Sequence, residues 1–269
     1  MIVNAATIQF DVLAAQVDHN MKKAEQLVAQ AAAQGAELIL LPELWNTGYA
    51  LESLAHLAED SRGPAVELLR TLAAQYRTTI VGGSIAEAKH GQVYNTSFVL
   101  GPKGQIITKY RKVHLFTYYM KEHLYFTAGD ELASFALTKD GESVNVGLCI
   151  CYDLRFPEIF RNLALRGAKL FCVPTAWPAP RLREYELFCR ARAAENRAFV
   201  LAANYTDTAD GVYAGGGLIA APDGETLIRG ENYEGVYQAR MDFDSYRDSI
   251  FNSLADRQPF IDEIDDNLL

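Results

Sequence analysis

GLCICYDLRFPE, residues 147–158, is the stretch on which the fold turns. Val144 to Cys149 is an apolar run that reads as a strand, and Glu158 to Arg166 reads as a helix, so the residues between form a strand-to-helix turn. At such a turn the sulfur of Cys151 can be exposed. The turn's backbone N–H groups, beginning with that of Tyr152, are then free to donate to an oxyanion. Cys151 is thus a candidate nucleophile, although the strand alone better fits one more buried, inert cysteine.

Upstream, Ile2 to Gln9 is strand-like. Met21, Ala24, Leu27, Val28, Ala31 and Ala32 then recur at helical spacing after Asp18 until Gly35 stops them. Leu38 to Leu41 is a short, fully apolar run closed by Pro42, so the chain opens as a βαβ unit with Glu43 just past the carboxyl end of a buried strand, where ligands gather. A helix is expected over Pro64–Tyr76 and strands over Thr79–Ile85, Tyr94–Leu100 and Ile106–Tyr110, the last entered through the turn GPKGQ at 101–105. Residues 111–131 read as an aromatic-rich loop. Downstream of the central turn come a strand (Leu170–Val173), a helix (Arg183–Asn196), a strand (Phe199–Ala203) and a hairpin of Leu218–Ala221 with Thr226–Ile228. The pattern predicts one domain over residues 1–269, a mixed sheet architecture with helices outside, and a C-terminal arm from about residue 242. Periodicity does not choose between one sheet and two.

Composition narrows the function. The chain has 269 residues, 49% hydrophobic and 22% charged, which is ordinary globular usage. Its net charge is −9, and the segment 242–269 carries eight acidic against two basic residues. An acidic chain without a basic tract repels phosphate, so nucleic acid and anionic membranes are not expected partners. The longest run free of Asp, Glu, Lys and Arg is the 13 residues His90–Pro102, itself polar, so no membrane span is expected. No basic leader precedes Lys22 and Lys23, which predicts a cytoplasmic protein. Four cysteines in so long a chain fit reduced thiols, and Cys149-x-Cys151 lacks a second Cys or His pair at ligand spacing, so neither a disulfide framework nor a metal site is expected.

Two further motifs accompany Cys151. ELILLPELWNTGY (37–49) carries Glu43, and KYRKVHLF (109–116) carries Lys112. Either charge alone fits a solvated loop.

With ATIQFD, LPELWNTGY, YRKVHLF, EHLYFTAG (122–129), CYDLRFPE, VPTAWPAP (173–180) and RARAAENRAFV (190–200) in this order, the chain resembles the nitrilase superfamily of carbon–nitrogen hydrolases over nearly its whole length. The resemblance implies a catalytic triad of Glu43, Lys112 and Cys151. It implies a second glutamate at Glu122, with Glu131 the alternative nearby. It also implies an α/β fold, the four-layer αββα sandwich, pairing through one face into a homodimer, and no cofactor. Substrate contacts are expected from Arg155 and Trp177. Two departures fall at GGGL (215–218), where a serine is often found before the turn and Gly217 stands here, and at Tyr205, where an arginine often follows the asparagine that is Asn204. Both bear on substrate fit.

The chemistry follows from the residue types. Covalent catalysis splits amide hydrolysis into acylation and deacylation through a thioester. Glu43 would take the thiol proton, deliver a proton to departing ammonia and later activate water, which requires a partly desolvated carboxylate. Lys112 and the Tyr152 N–H would hold the developing oxyanion, and Lys112 would also favour the thiolate. Glu122 would hold the Lys112 ammonium. CYDLRFPE and EHLYFTAG look most like the ω-amidase branch, whose substrates are small amides bearing a distal carboxylate. Arg155 would then hold that carboxylate, unless it pairs with Asp153 or Glu158. Nitrile, N-carbamoyl-amine and deaminated-glutathione hydrolysis remain alternatives within the superfamily. Outside it stand a Cys–His hydrolase using His114 or His123, and a scaffold subunit that has lost catalysis.

Overall fold

Alternate residues of the first strand, β1 (Ile2–Gln9), enter different cores. Val3 and Ala5 pack with Leu38, Leu40, Val81 and Val99 and with residues of later strands, whereas Ala6 and Ile8 pack with Ala24, Val28, Val66 and Leu69 of two helices. A strand that is apolar on both faces has to lie between two layers, and this one does. The computed structural model describes residues 1–206, 211–246 and 254–256.

After β1 come α1 (Val17–Ala33), β2 (Leu38–Leu40), a one-turn helix α2 (Leu54–Leu57), α3 (Pro64–Tyr76), β3 (Thr79–Val81), β4 (Ile85–Lys89), β5 (Gln92–Leu100) and β6 (Ile106–Arg111). The second half runs β7 (Ala133–Lys139), β8 (Glu142–Leu148), α4 (Pro157–Leu165), β9 (Ala168–Pro174), α5 (Leu182–Asn196), β10 (Phe199–Ala203), β11 (Leu218–Ala220), β12 (Thr226–Arg229) and β13 (Gly235–Asp242). The described residues form a seven-stranded sheet in the order β13-β1-β2-β3-β5-β4, with β6 on β5, and a six-stranded sheet in the order β12-β11-β10-β9-β8-β7. Helices α1 and α3 cover the outer face of the first, α4 and α5 that of the second, and the inner faces meet, giving the αββα sandwich.

Three elements depart from expectation. The strand expected over Thr79–Ile85 is broken after Val81, because Gly83 takes φ +57° and a Cβ there would lie 1.9 Å from the carbonyl of Pro42. The chain resumes at Ile85 and pairs antiparallel with β5. β7 and β13 were not expected. β13 runs antiparallel along the whole of β1, from Ile2 opposite Asp242 to Gln9 opposite Gly235, so the start of the expected C-terminal arm is the end of a sheet strand. Past it, Phe243 and Tyr246 pack against Phe199 of the same chain, with ring centroids 5.0 and 5.4 Å apart, and Leu254 joins that core. Ile250, Phe251, Phe260 and Ile261 of the arm lie outside the described residues.

Candidate active site

Glu43 stands three residues beyond β2, on a loop held from two sides. The Gly82–Ser84 break supports it from its own sheet: Ser84 N–H donates to Pro42 O (3.1 Å), Leu44 N–H to Ser84 Oγ (2.9 Å) and Trp45 Nε1 to Gly82 O (2.8 Å). The close approach at Gly83 is what lets this loop settle there. From the second sheet, Glu43 N–H donates to Thr175 O (3.3 Å) and Tyr205 Oη donates to the Glu43 main-chain carbonyl (2.6 Å). The carboxylate is fully buried: Oε1 accepts from Asn95 Nδ2 (2.9 Å) and Lys112 Nζ (2.8 Å), and Oε2 from Ala176 N–H (3.1 Å).

Lys112 follows β6 directly, and its main chain is pinned by donation of its N–H to Asn95 O (2.9 Å). Its ammonium also reaches Glu122 at 2.9 Å, with both side chains at zero exposure. Burial alone would lower the ammonium's pKa, but Glu122 and Glu43 outweigh it and raise it, so Lys112 stays charged. Glu122 opens a single 3₁₀ turn, Glu122–Leu124, and accepts from Phe116 N–H and Tyr49 Oη, each at 2.9 Å. Burial lifts the Glu122 carboxyl, opposed by Lys112 and assisted by Glu43. Two carboxylates on one buried ammonium leave a surplus negative charge, which favours keeping one proton in the cluster.

Cys151 begins a 3₁₀ turn, Cys151–Arg155, with φ +45°. A left-handed backbone at a non-glycine residue costs on the order of 1–3 kcal/mol and persists where the surroundings enforce it. Here the enforcement is Asp153. Its buried carboxylate accepts from Ile150 N–H (2.8 Å), Tyr110 Oη (2.8 Å) and His114 N–H (3.1 Å), and lies 2.7 Å from His114 Nδ1. The His114 ring is stacked on Phe156 at 3.7 Å. His114 is thus spent as a brace of the turn, and the charged group that acts most strongly on the Cys151 thiol is the Glu43 carboxylate. That arrangement is the opposite of a Cys–His pair. His123 is exposed beside Glu122.

Burial dominates the thiol's electrostatics. Burial pushes Cys151 well up and Glu43 pushes it further, while Lys112 and the Ala176 N–H pull only part of the way back. The resting group is therefore a thiol near a carboxylate.

Cys151 lines a cleft of about 880 Å³ walled by Tyr49, Phe116, Tyr152, Trp177 and Tyr213. Tyr152 follows Cys151, so its N–H falls among the first of the turn, which have no acceptor within the turn itself. Arg155 and Trp177 both line the cleft. Arg155 pairs with neither Asp153 nor Glu158: its Nη2 meets Glu184 Oε2 at 2.6 Å, and its guanidinium lies 5.0 Å from the Trp177 ring. Asp153 is already engaged by the turn, which leaves Glu184, at the start of α5, as the partner. Gly217 N–H donates to Gln9 Oε1 (3.1 Å), and a Cβ at Gly217 would stand 3.1 Å from Thr7 Oγ1, so the missing side chain lets β1 and the strand after it pack closely. Among the described residues, no group of three His, Cys, Asp or Glu could hold a metal, and no helix is long and apolar enough to cross a membrane.

Sequence reasoning missed Asn95, Asp153, Tyr110 and Ala176. Only Asp153 carried a signal, as an acid beside the nucleophile. The others acquire their roles from which loops the two sheets bring together.

The chain is similar to known proteins over most of its length. The chain is 40% identical over 236 residues to a 2-oxoglutaramate amidase of Bacillus subtilis (strain 168), covering 87% of this chain and 89% of that one. It is 33% identical over 250 residues to an omega-amidase of Homo sapiens, covering 88% and 87%. A CN-hydrolase superfamily protein of Xanthomonas campestris, solved with an arsenic adduct in its active site, superposes with a TM-score of 0.85 at 27% identity over 96% of this chain and 98% of that one. The family model described as carbon-nitrogen hydrolase matches residues 4–250, and by that match the chain belongs to the carbon–nitrogen hydrolase family.

Proposed function

We propose that this chain is an ω-amidase-like amidohydrolase, cleaving the terminal amide of a small carboxylate-bearing molecule through a Cys151 thioester and releasing ammonia. The observation that carries it is the fully buried Lys112 ammonium held between Glu43 at 2.8 Å and Glu122 at 2.9 Å, with Glu43 and Lys112 both acting on the Cys151 thiol. Its relatives named for amidase activity supply the substrate class.

In acylation Glu43 takes the thiol proton as Sγ attacks the amide carbon. The C–S bond forms, and the carbonyl electron pair moves onto oxygen, held by Lys112 and the Tyr152 N–H. The oxyanion collapses, the C–N bond breaks and Glu43 delivers its proton to nitrogen, which leaves as ammonia. In deacylation Glu43 takes a proton from water as the water oxygen attacks the thioester carbon. The C–S bond then breaks, the thiolate regains the proton from Glu43, and the acid departs. Glu122 fixes Lys112 throughout. Removing one oxyanion donor of this type typically costs about 100- to 1,000-fold in rate.

Arg155 and Trp177 form the part of the cleft wall that meets the distal carboxylate. The protein works as a homodimer, and its four free, buried thiols fit a reducing, cytoplasmic setting. A panel of succinamate, butyramide, nitriles and N-carbamoyl compounds, scored by ammonia release and by mass spectrometry for an acyl adduct on Cys151, tests the activity. Preferred turnover of succinamate with a Cys151 adduct is expected; release from nitriles or carbamoyl compounds alone, or no adduct, overturns it. Light scattering giving 29.8 kDa at micromolar concentration overturns the dimer.

A further inference from the structure

Beyond Trp177 the cleft wall carries two guanidinium groups that share one carboxylate. Arg155 Nη2 meets Glu184 Oε2 at 2.6 Å, and Arg181 Nη1 meets Glu184 Oε1 at 3.0 Å and Oε2 at 3.3 Å. The three residues come from separate elements: the nucleophile's turn, a 3₁₀ turn at Ala179–Arg181, and the first turn of α5. Both arginines line the cleft that holds Cys151, whereas Glu184, 41% exposed, is not part of that lining.

The same indole touches both residues, Arg181 at its backbone and Arg155 at its guanidinium. Trp177 Nε1 donates to the main-chain carbonyl of Arg181 at 3.0 Å, and the Arg155 guanidinium lies against the Trp177 ring. Guanidinium forks already set in place lose little freedom on meeting a carboxylate, and their planar geometry matches it. Arg155 holds the Glu184 carboxyl below its usual range, so Glu184 remains ionised at neutral pH. Two cations against one anion leave this wall with a net positive charge, in a chain whose total charge is −9. An anionic substrate approaching such a protein needs a local field of this sign at the point where it binds.

We propose that Arg181 is a specificity-determining residue that holds the distal carboxylate of the substrate together with Arg155, and that Glu184 is a built-in competitor for the same two guanidinium groups. Glu184 occupies one edge of each fork, sets their separation and offsets half of their charge. The clamp therefore admits a single carboxylate and holds it loosely enough for product to leave. The inference rests on the amidase reading given above and adds to it the residue that selects for charge.

The experiment compares kcat/KM for succinamate with kcat/KM for butyramide, a neutral amide of equal length, in the parent, R181Q and E184Q. In R181Q the succinamate-to-butyramide ratio falls at least ten-fold; in E184Q it rises at least three-fold, through a lower KM for succinamate. Added salt lowers the ratio in the parent and flattens it in R181Q. A ratio within two-fold of the parent in R181Q overturns the proposal, and so does a fall in E184Q, which would make Glu184 a strut. Should R181Q fold poorly by thermal melting, the direction of the E184Q change decides alone. A parent that prefers butyramide refutes the anionic-substrate reading itself, whereas a parent that prefers succinamate with an unmoved R181Q ratio refutes only the role of Arg181.

Discussion

Tyr205 Oη and the main-chain carbonyl of Glu43 are 2.6 Å apart, a hydrogen bond from the loop after β10 in one sheet to the loop after β2 in the other. With Ala176 N–H and Asn95 on the carboxylate, Glu43 is held at both its backbone and its side chain. The position at which the superfamily resemblance leads one to expect an arginine is occupied here by a backbone strut. Its ring also packs 4.8 Å from Tyr213 on the cleft wall.

Tyr205→Phe removes the donor and leaves a buried carbonyl short of a partner, a loss of about 1–3 kcal/mol in stability. Because small displacements of a catalytic group slow chemistry more than binding, kcat should fall further than KM rises. Thermal melting and steady-state kinetics on one preparation check both, and an unchanged kcat would mean that the strut does not position Glu43.

Peptide mapping after iodoacetamide treatment should find Cys151 modified ahead of Cys149, Cys172 and Cys189, since it alone of the four lines the cleft. Its advantage is access and an adjacent base, not a low pKa. Burial and then the Glu43 charge raise the thiol, and Lys112 opposes them. Glu43→Gln should therefore move the pH midpoint of Cys151 alkylation downward while cutting ammonia release at least about 100-fold, with the circular dichroism of the parent. A midpoint that moves upward contradicts this electrostatic account.

Lys112→Met leaves Glu43 and Glu122 buried without their shared cation, and breaking a buried pair in this way destabilises by about 3–5 kcal/mol. Urea unfolding should register that loss. Adding Glu122→Gln should restore part of the stability and none of the turnover. Equal midpoints for the single and double variants would show that the carboxylates do not repel across the site.

Glu59 gives a pH dependence of a less familiar sign. Burial pushes its carboxyl up to about 7 from 4.5, while it accepts from Ala65 N–H near the start of α3 and from Asn46 on the Glu43 loop. Between those two values the folded chain keeps a proton that the unfolded chain releases. Its contribution to stability is therefore complete below about pH 4.5 and is lost as pH rises through 7. The melting temperature of the parent relative to Glu59→Gln should fall from pH 5 to pH 7.5 and level off above. A difference that is flat over this range, or that rises, would rule out a protonated Glu59.

Where apolar runs meet clear punctuation, sequence and structure agree to the residue: β1 at Ile2–Gln9, α3 at Pro64–Tyr76 and β10 at Phe199–Ala203. β13 escaped notice because it is mostly half-buried and owes its existence to a partner more than 200 residues away. The break after Val81 falls at Gly82-Gly83-Ser84, and its cause is the Pro42 carbonyl, which is distant in sequence. At the site, Glu43, Lys112, Cys151 and Glu122 stood in motifs and do meet in space. Their supports were silent, since an Asn on β5 or a carboxylate on α5 looks like any other until the opposite sheet is in place.

The bonds around Glu43 also make the site a gauge of assembly. Its carboxylate takes hydrogen bonds from Asn95 and Lys112 of the first sheet and from Ala176 of the second, and its thiol partner hangs from β8. Neither half of the molecule on its own contains a proton-transfer pair. During refolding, ammonia release therefore has to lag behind secondary structure and appear with the docking of one sheet on the other. Until that moment Cys151 has neither Glu43 nor Lys112 beside it and behaves as an ordinary thiol, so the molecule becomes a catalyst only once its two sheets have docked.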